Sequence, residues 1–194
     1  MQKLATSDLM PLEQYARERQ QIRARMIEYR RRRRLQLGAH CTWSFEDRET
    51  VRYQVQEMLR AEKVFEAAGI EQELSVYNPL IPDGHNLKAT LLIEYPDPLE
   101  RAQRLAALRG IERCCWLQVG ALPRVLAIAD EDLERANEHK TSAVNFLRFE
   151  FTAAMVSALR SGAPLAAGID HPVYPQHIAA LPAGLRGALL GDLE

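Results

Sequence analysis

The sequence predicts an α+β fold with a largely antiparallel or mixed sheet of about six strands, packed by helices and preceded by a basic N-terminal helix. Apolar residues recur at helical spacing in some segments and at every second position in others. These segments lack the regular strand–helix–strand alternation of a doubly wound fold, and two central strands are spaced as a hairpin. With 194 residues, of which 47% are hydrophobic, the chain is long enough to bury a core.

Each predicted element is bounded by residues that start or stop it. Proline suits the first turn of a helix, aspartate and threonine cap helices, and glycine ends them. Strands are predicted where apolar and polar residues alternate. In the N-terminal part we predict a helix from Pro11 towards Leu35 that stops by Gly38, a strand over Ala39–Phe45, a helix from Asp47 to Gly69 and a short helix over 70–77. In the central part we predict a strand over 87–95, a helix over 97–110, strands over 112–119 and 124–129 and a helix over 130–138. In the C-terminal part we predict a strand over 142–151, a helix over 152–162, a strand over 165–169 and a weak helix from Leu181.

The charge is unevenly distributed along the chain. The net charge is −1, yet residues 1–34 carry ten basic and four acidic residues, a balance of +6 that leaves −7 for the rest. This asymmetry predicts a basic N-terminal helix over residues 1–37 and a single α+β domain over 38–194.

A run of five arginines is the strongest local signal in this basic segment. We predict that it docks on an acidic surface, either of its own domain or of a protein partner. Nucleic-acid binding is a further alternative, but no aromatic residues are interleaved for base stacking. A solvated helix end without a specific role also remains open. The docking residues are Arg30, Arg31, Arg32, Arg33 and Arg34.

The alternative function is a small enzyme or an anionic-ligand-binding protein. Asp170 and His171 follow a predicted strand and are the catalytic candidates, although a turn capped by Asp170 is the commoner explanation for such a pair. The loop over 78–86 is either a ligand clamp or a structural loop packed through its apolar residues. The ligand-binding candidates are Asp83, His85, Lys140 and Arg148. Whether the protein is an enzyme stays open.

One face of the predicted sheet has a mixed polar and aromatic character. If the strands concerned share a sheet, this face suits a ligand or a partner, whereas the ordinary alternative is a solvent-exposed polar face. Its residues are Lys88, Thr90 and Glu94, then Arg148 and Glu150, with Cys114, Trp116 and Gln118 as a third row.

Metal and cofactor sites are not predicted. Cys41, Cys114 and Cys115 form no zinc-binding spacing and are expected to be structural. A di-iron site needs Glu-x-x-His pairs, and Glu57 is followed three residues later by Arg60. No long apolar run or secretory signal is recognisable, so we predict a cytoplasmic protein without membrane insertion.

Several separated segments together resemble an uncharacterised bacterial family known as a domain of unknown function. The resemblance covers nearly the whole chain, through Ser44–Thr50, Gln54–Arg60, Asn78–Gly84, Trp116–Gly120, Ala129–Asp132, Lys140–Val144 and Gly168–Pro172. It implies gene neighbourhoods that encode rubrerythrin-like proteins and iron–sulphur oxidoreductases, and hence an accessory or interaction protein of a bacterial redox system. No catalytic residues transfer from the family, and the sequence leaves a homo-oligomer open.

Overall fold

The computed structural model describes residues 2–129, 131 and 140–194, which form an α+β fold with two antiparallel sheets. The helices are α1 (Leu12–Arg31), α2 (Arg48–Glu62), α3 (Ala67–Tyr77), α4 (Pro98–Ala107), α5 (Ala153–Arg160) and α6 (Ala183–Leu190). The strands are β1 (Arg34–Leu37), β2 (Cys41–Glu46), β3 (Asn86–Ile93), β4 (Cys115–Val119), β5 (Val125–Leu126), β6 (Ile128–Ala129), β7 (Val144–Glu150), β8 (Leu165–His171) and β9 (Tyr174–Ile178). The predicted class is confirmed, with the strands divided over two sheets.

The two sheets share one hydrophobic core. Sheet A has the order β1-β2-β3-β7-β6, and sheet B has the order β5-β4-β8-β9. Alternate residues of each strand point into the core, where Trp43 and Phe149 of sheet A stack with 5.4 Å between ring centroids. Leu117 and Ile169 of sheet B belong to the same cluster. The other face of each sheet, its outer face, points away from this core.

Helices α1 and α2 lie side by side and run antiparallel. Tyr15 of α1 contacts Glu57 in the second half of α2, whereas Tyr29 contacts Asp47 at the start of α2. A second apolar cluster holds α2 and α3 together with the N-terminal segment. Within the described residues, no helix has both the length and the apolar character needed to cross a bilayer.

The predicted first helix is too long. In the structure, α1 ends at Arg31. Residues 34–37 form β1 instead, in which Leu35 and Leu37 are buried in alternation with exposed residues. Gly38 has a φ of +70°, which a glycine adopts readily, and it turns the chain into β2. The proposed boundary between residues 37 and 38 falls in this turn, and the division into two units stays a prediction.

Two other predicted boundaries are wrong. The second helix ends at Glu62, because Lys63 adopts a left-handed conformation with a φ of 55°. The expected stop over 67–69 is instead the start of α3. Residues Ile111–Cys114 form a 3-10 turn, so β4 begins only at Cys115.

The predicted strand over 124–129 is divided between the two sheets. Val125 pairs with β4, which confirms the predicted central hairpin, whereas Ile128 pairs with Arg148 of β7. The strand expected over 165–169 extends to His171, and β9 follows it as an edge strand that was not predicted. The helix predicted over 130–138 lies outside the described residues, except for Glu131.

Candidate functional site

The arginine run is divided among different local structures. Arg30 and Arg31 end α1, Arg32 and Arg33 form the connection, and Arg34 begins β1. Because the backbone changes direction within the run, the five side chains enter different environments.

Arg33 is buried within its own fold. It is 3% exposed, and its guanidinium lies 3.2 Å from the carboxylate of Asp47 and donates to that of Asp192. Burial acts to lower the pKa of Arg33, but the charges of Asp192 and Asp47 raise it overall. Of the two predicted alternatives, Arg33 follows the first: it docks on acidic residues of its own chain, and a partner cannot reach it because its hydrogen bonds are used inside the protein.

The other arginines of the run lie at the surface. Arg30 lies over the ring of Tyr53, with 5.3 Å to its centroid, and exposed Arg31 pairs with Glu28 of the same helix at 2.9 Å. Arg32 and Arg34 are exposed. Four arginine side chains of α1, the connection and β1 make no hydrogen bond or ion pair with any described residue, namely Arg23, Arg25, Arg32 and Arg34.

Specific contacts fix α1 to α2 near both ends. The guanidinium of Arg19 donates to both carboxylate oxygens of Glu57, at 2.8 and 2.7 Å, and the hydroxyl of Tyr15 also donates to this carboxylate. The hydrogen bonds from Arg19 hold the pKa of Glu57 below its usual value. Between these contacts and Tyr29 lies an open cavity of about 310 Å³, whose walls include Ile22 and Met26.

The outer face of sheet A carries a row of charged residues. Lys88 of β3 lies opposite Glu46 of β2 on one side and opposite Arg148 of β7 on the other. The predicted polar rows of β3 and β7 therefore share a face. Trp116 and Gln118 lie in sheet B, so the prediction that they form a third row on this face is wrong.

Arg148 is held by carboxylates on this face. It binds both oxygens of Glu131, at 2.7 and 2.5 Å, and also donates to Glu150. The hydrogen bonds to Glu131 contribute most to raising the pKa of Arg148. The side-chain amide of Asn86 donates to Glu150 at 3.0 Å and to Asp83 at 2.8 Å, which connects the two predicted ligand-binding residues Asp83 and Arg148.

The two remaining predicted ligand-binding residues, His85 and Lys140, lie at the surface. The backbone amide of His85 donates to the Asp83 carboxylate at 2.9 Å, but the His85 residue itself is exposed. Lys140 is also exposed. It precedes Thr141, which is anchored to α4 through the carbonyl of Leu105.

Asp170 and His171 belong to sheet B and point to its opposite faces. Asp170 pairs with Arg124 at 2.6 Å, and this guanidinium lies 3.9 Å from the ring centroid of Trp116. His171 is buried, and its Nε2 lies 3.2 Å from the carbonyl oxygen of Arg109. Asp170 therefore does not orient the imidazole, and the structure does not bring the candidates of both sheets into one site.

A small pocket lies on the outer face of sheet A, the face predicted to suit a ligand or a partner, and its lining includes the predicted Lys88 and Arg148 together with Glu46, which was not predicted. The carboxylate of Glu46 is buried there and accepts hydrogen bonds from Thr50 and Thr90, both at 2.6 Å, and from Gln54 at 3.1 Å. Lys88 lies beside it. Glu46 and Lys88 lie far apart in the sequence and become neighbours through the pairing of β2 with β3. The sequence alone therefore did not indicate that they share a pocket.

The cysteines have the environment of structural residues. Cys41 and Cys115 are buried, and burial raises the pKa of both thiols, to about 11 for Cys41. Among the residues that the structure describes, no three histidine, cysteine, aspartate or glutamate side chains are grouped to hold a metal ion.

Comparisons with known proteins identify relatives but no activity. A family described as "Protein of unknown function (DUF3501)" matches residues 3–193. A crystal structure of a novel protein of unknown function from Burkholderia pseudomallei K96243 is 49% identical, with a TM-score of 0.95 and coverage of 100% of both chains. No curated protein matches the chain.

Proposed function

Because the chain belongs to the DUF3501 family of proteins of unknown function, we propose its role from the geometry of its surface. It is an interaction protein that docks on an acidic partner through α1. The observation that carries this proposal is the set of exposed guanidiniums without a partner among the described residues, namely Arg23, Arg25, Arg32 and Arg34.

The outward side of α1 supports protein docking. Only Tyr15 of this 20-residue helix is buried, and Ile27 is 54% exposed. Ala16 and Ala24 lie on the same side as Ile27 and Arg23 and allow a second helix to approach closely. An apolar strip with arginine beside it matches a partner surface that combines apolar side chains with carboxylates.

The contacts with α2 favour docking because they hold the helix in place. Arg19 pairs with Glu57 and Tyr29 binds Asp47, so α1 is fixed before a partner arrives. A surface that is ordered in advance loses less conformational entropy when it binds.

The partner class comes from the family resemblance. Neighbourhoods with rubrerythrin-like proteins and iron–sulphur oxidoreductases make such an oxidoreductase the proposed partner, and the protein an accessory of a bacterial redox system. Nucleic acid is the weaker choice, because the rest of the chain has a charge of −7 and would repel phosphates.

The test compares two double variants that each remove two positive charges. R23Q/R25Q changes unpaired arginines of α1, whereas R104Q/R124Q changes exposed arginines that pair with acids away from α1 and α2. We expect R23Q/R25Q to weaken binding to a purified rubrerythrin-like or iron–sulphur oxidoreductase by about tenfold or more, which corresponds to about 1.4 kcal/mol. The control variant should bind like the wild type.

Titration calorimetry at low and high salt measures these affinities. The α1 variant should also show a weaker salt dependence, since it removes exposed charges from the interface. Equal affinities of the two variants would contradict docking through α1. Binding of duplex DNA that only R23Q/R25Q loses, without binding of either oxidoreductase, would favour the nucleic-acid alternative.

A further inference from the structure

A small cavity lies on the outer face of sheet A, where β2, β3 and β7 are neighbours. Its volume is about 180 Å³, which is below the ~300 Å³ of typical drug-sized ligand sites but suits a short organic molecule. Pro79, Leu80 and the ring of Phe146 provide apolar walls, and Lys88 lines it beside Glu46 and Arg148. We call this cavity the sheet A pocket.

Arg148 and Glu46 in the sheet A pocket already have hydrogen-bond partners within the protein. Arg148 donates to Glu131 and Glu150, and the buried Glu46 carboxylate accepts from three uncharged side chains. An anionic ligand would therefore meet the carboxylates of Glu46 and Glu131 without a free guanidinium to bind it. The pocket favours a neutral molecule.

Lys88 is the group in the sheet A pocket with hydrogen-bonding capacity left. Its ammonium donates to the carbonyl oxygen of Pro79 at 2.5 Å, and it forms no ion pair with Glu46 although the two lie opposite each other. A lysine ammonium has three donors. Burial lowers the pKa of Lys88, and Arg148 acts in the same direction, against the charges of Asp83, Glu131 and Glu150.

The use of lysine at this position is unusual for this chain. The sequence contains 21 arginines and four lysines. Lys3, Lys63 and Lys140 are exposed, and Lys88 alone is partly buried. A guanidinium stays charged at all ordinary pH values, whereas an amine can lose its proton and act as a nucleophile.

We propose that the sheet A pocket binds a short-chain aliphatic aldehyde, which Lys88 holds through an imine. The neutral amine of Lys88 adds to the carbonyl carbon, the two protons of the amine pass to the carbonyl oxygen, which leaves as water, and a C=N bond replaces the C=O bond. No electrons are exchanged with a further reactant. The alkyl chain contacts Leu80 and Phe146, which excludes water from the product.

The experiment uses the exposed lysines as internal controls. Native protein is incubated at neutral pH with butanal and sodium cyanoborohydride, which reduces an imine to a stable secondary amine, and peptide mass mapping locates the modified lysines. We expect Lys88 to react several-fold faster than Lys3 or Lys63, since burial lowers the pKa of Lys88 and so raises its neutral fraction, and since the apolar walls of the pocket hold the aldehyde beside it. A rate for Lys88 equal to or below theirs would overturn the proposal.

Variants and a second aldehyde test the ligand class. K88R retains the charge in the sheet and should abolish the fast modification while the slow background remains. F146S removes an apolar wall and should slow the reaction of butanal with Lys88 more than that of glyoxylate, an anionic aldehyde. Modification of Lys88 by glyoxylate as fast as by butanal would show that the pocket accepts anions and would overturn the neutral aldehyde. Circular dichroism confirms that each variant is folded.

Discussion

Arg33 donates a hydrogen bond to the carboxylate of Asp192, and this buried contact connects the start of the sheet with the segment after α6. The same guanidinium donates to the carbonyl oxygen of Phe45 at 3.2 Å and lies beside Asp47. Because Asp47 also caps α2, one arginine side chain joins β2, α2 and the C-terminal segment.

Replacing Arg33 is expected to destabilise the protein far more than replacing its neighbour Arg32. R33Q leaves the carboxylates of Asp47 and Asp192 buried without a cation, which costs about 3–5 kcal/mol in comparable cases. R32Q changes an exposed side chain and should alter the free energy of unfolding by less than about 0.5 kcal/mol. Urea denaturation of both variants measures the difference, and similar unfolding midpoints would contradict the assignment of Arg33 as a structural residue.

Asp192 should give the stability a distinctive pH dependence. Burial raises its pKa from 3.8 to about 6, despite the opposing effect of Arg33. At pH values between these two pKa values, Asp192 keeps its proton in the native protein and has released it in the unfolded chain. The free energy of unfolding therefore falls as the pH rises towards 6, and the contribution of Asp192 is constant at higher pH. Over the whole range, Asp192 lowers the free energy of unfolding by about 3 kcal/mol.

The variant D192N tests this prediction, because an amide does not titrate. Urea unfolding at a series of pH values from 4 to 7 gives the free energy of unfolding of both proteins, and their difference isolates Asp192 from other acids. The wild type should lose stability relative to D192N as the pH rises. Parallel curves over this range would contradict a raised pKa for Asp192.

Local capping signals predicted helix starts well. Asp47, Asp97 and Thr152 each accept a hydrogen bond from a backbone amide in the first turn of the following helix. These interactions involve neighbours in the sequence, so the pattern of residue types contains them. Strand β1 has only four residues, and its pairing with β2, not its composition, makes it a strand.

The candidate site depended on strand pairing that the sequence does not encode locally. Alternation along β8 correctly places Asp170 and His171 on opposite faces of a strand, but it does not show to which sheet this strand belongs. Asp83 and Arg148 are connected only because Asn86 lies opposite Glu150 in the register of β3 with β7. Such contacts follow from the fold as a whole, which local periodicity leaves undetermined.

Gly168 is expected to tolerate no side chain, in contrast to Gly187. A Cβ atom at Gly168 would lie 2.3 Å from Cζ2 of Trp116, which packs over this glycine across the β4–β8 pair. G168A should therefore destabilise the protein by about 1–3 kcal/mol, as overpacking commonly does, and shift the tryptophan fluorescence. Gly187 lies exposed in α6 with open space around its Cβ position, so G187A should stabilise by about 0.5–1 kcal/mol. Thermal unfolding measures the stability of both variants. A change in the same direction for G168A and G187A would contradict this interpretation.

The three thiols should differ in reactivity according to their burial. Only the thiolate attacks alkylating reagents, and burial raises the pKa of Cys41 to about 11 and that of Cys115 well above its usual value. Cys114 also has a raised pKa but is only partly buried, in the turn before β4. In native protein at mildly alkaline pH, iodoacetamide should therefore modify Cys114 first and leave the other two unmodified, whereas in urea all three should react. C114S provides the control, since it should remove nearly all modification of the native protein, and mass spectrometry counts the added groups. Rapid alkylation of Cys41 or Cys115 in C114S would contradict their assignment as core residues.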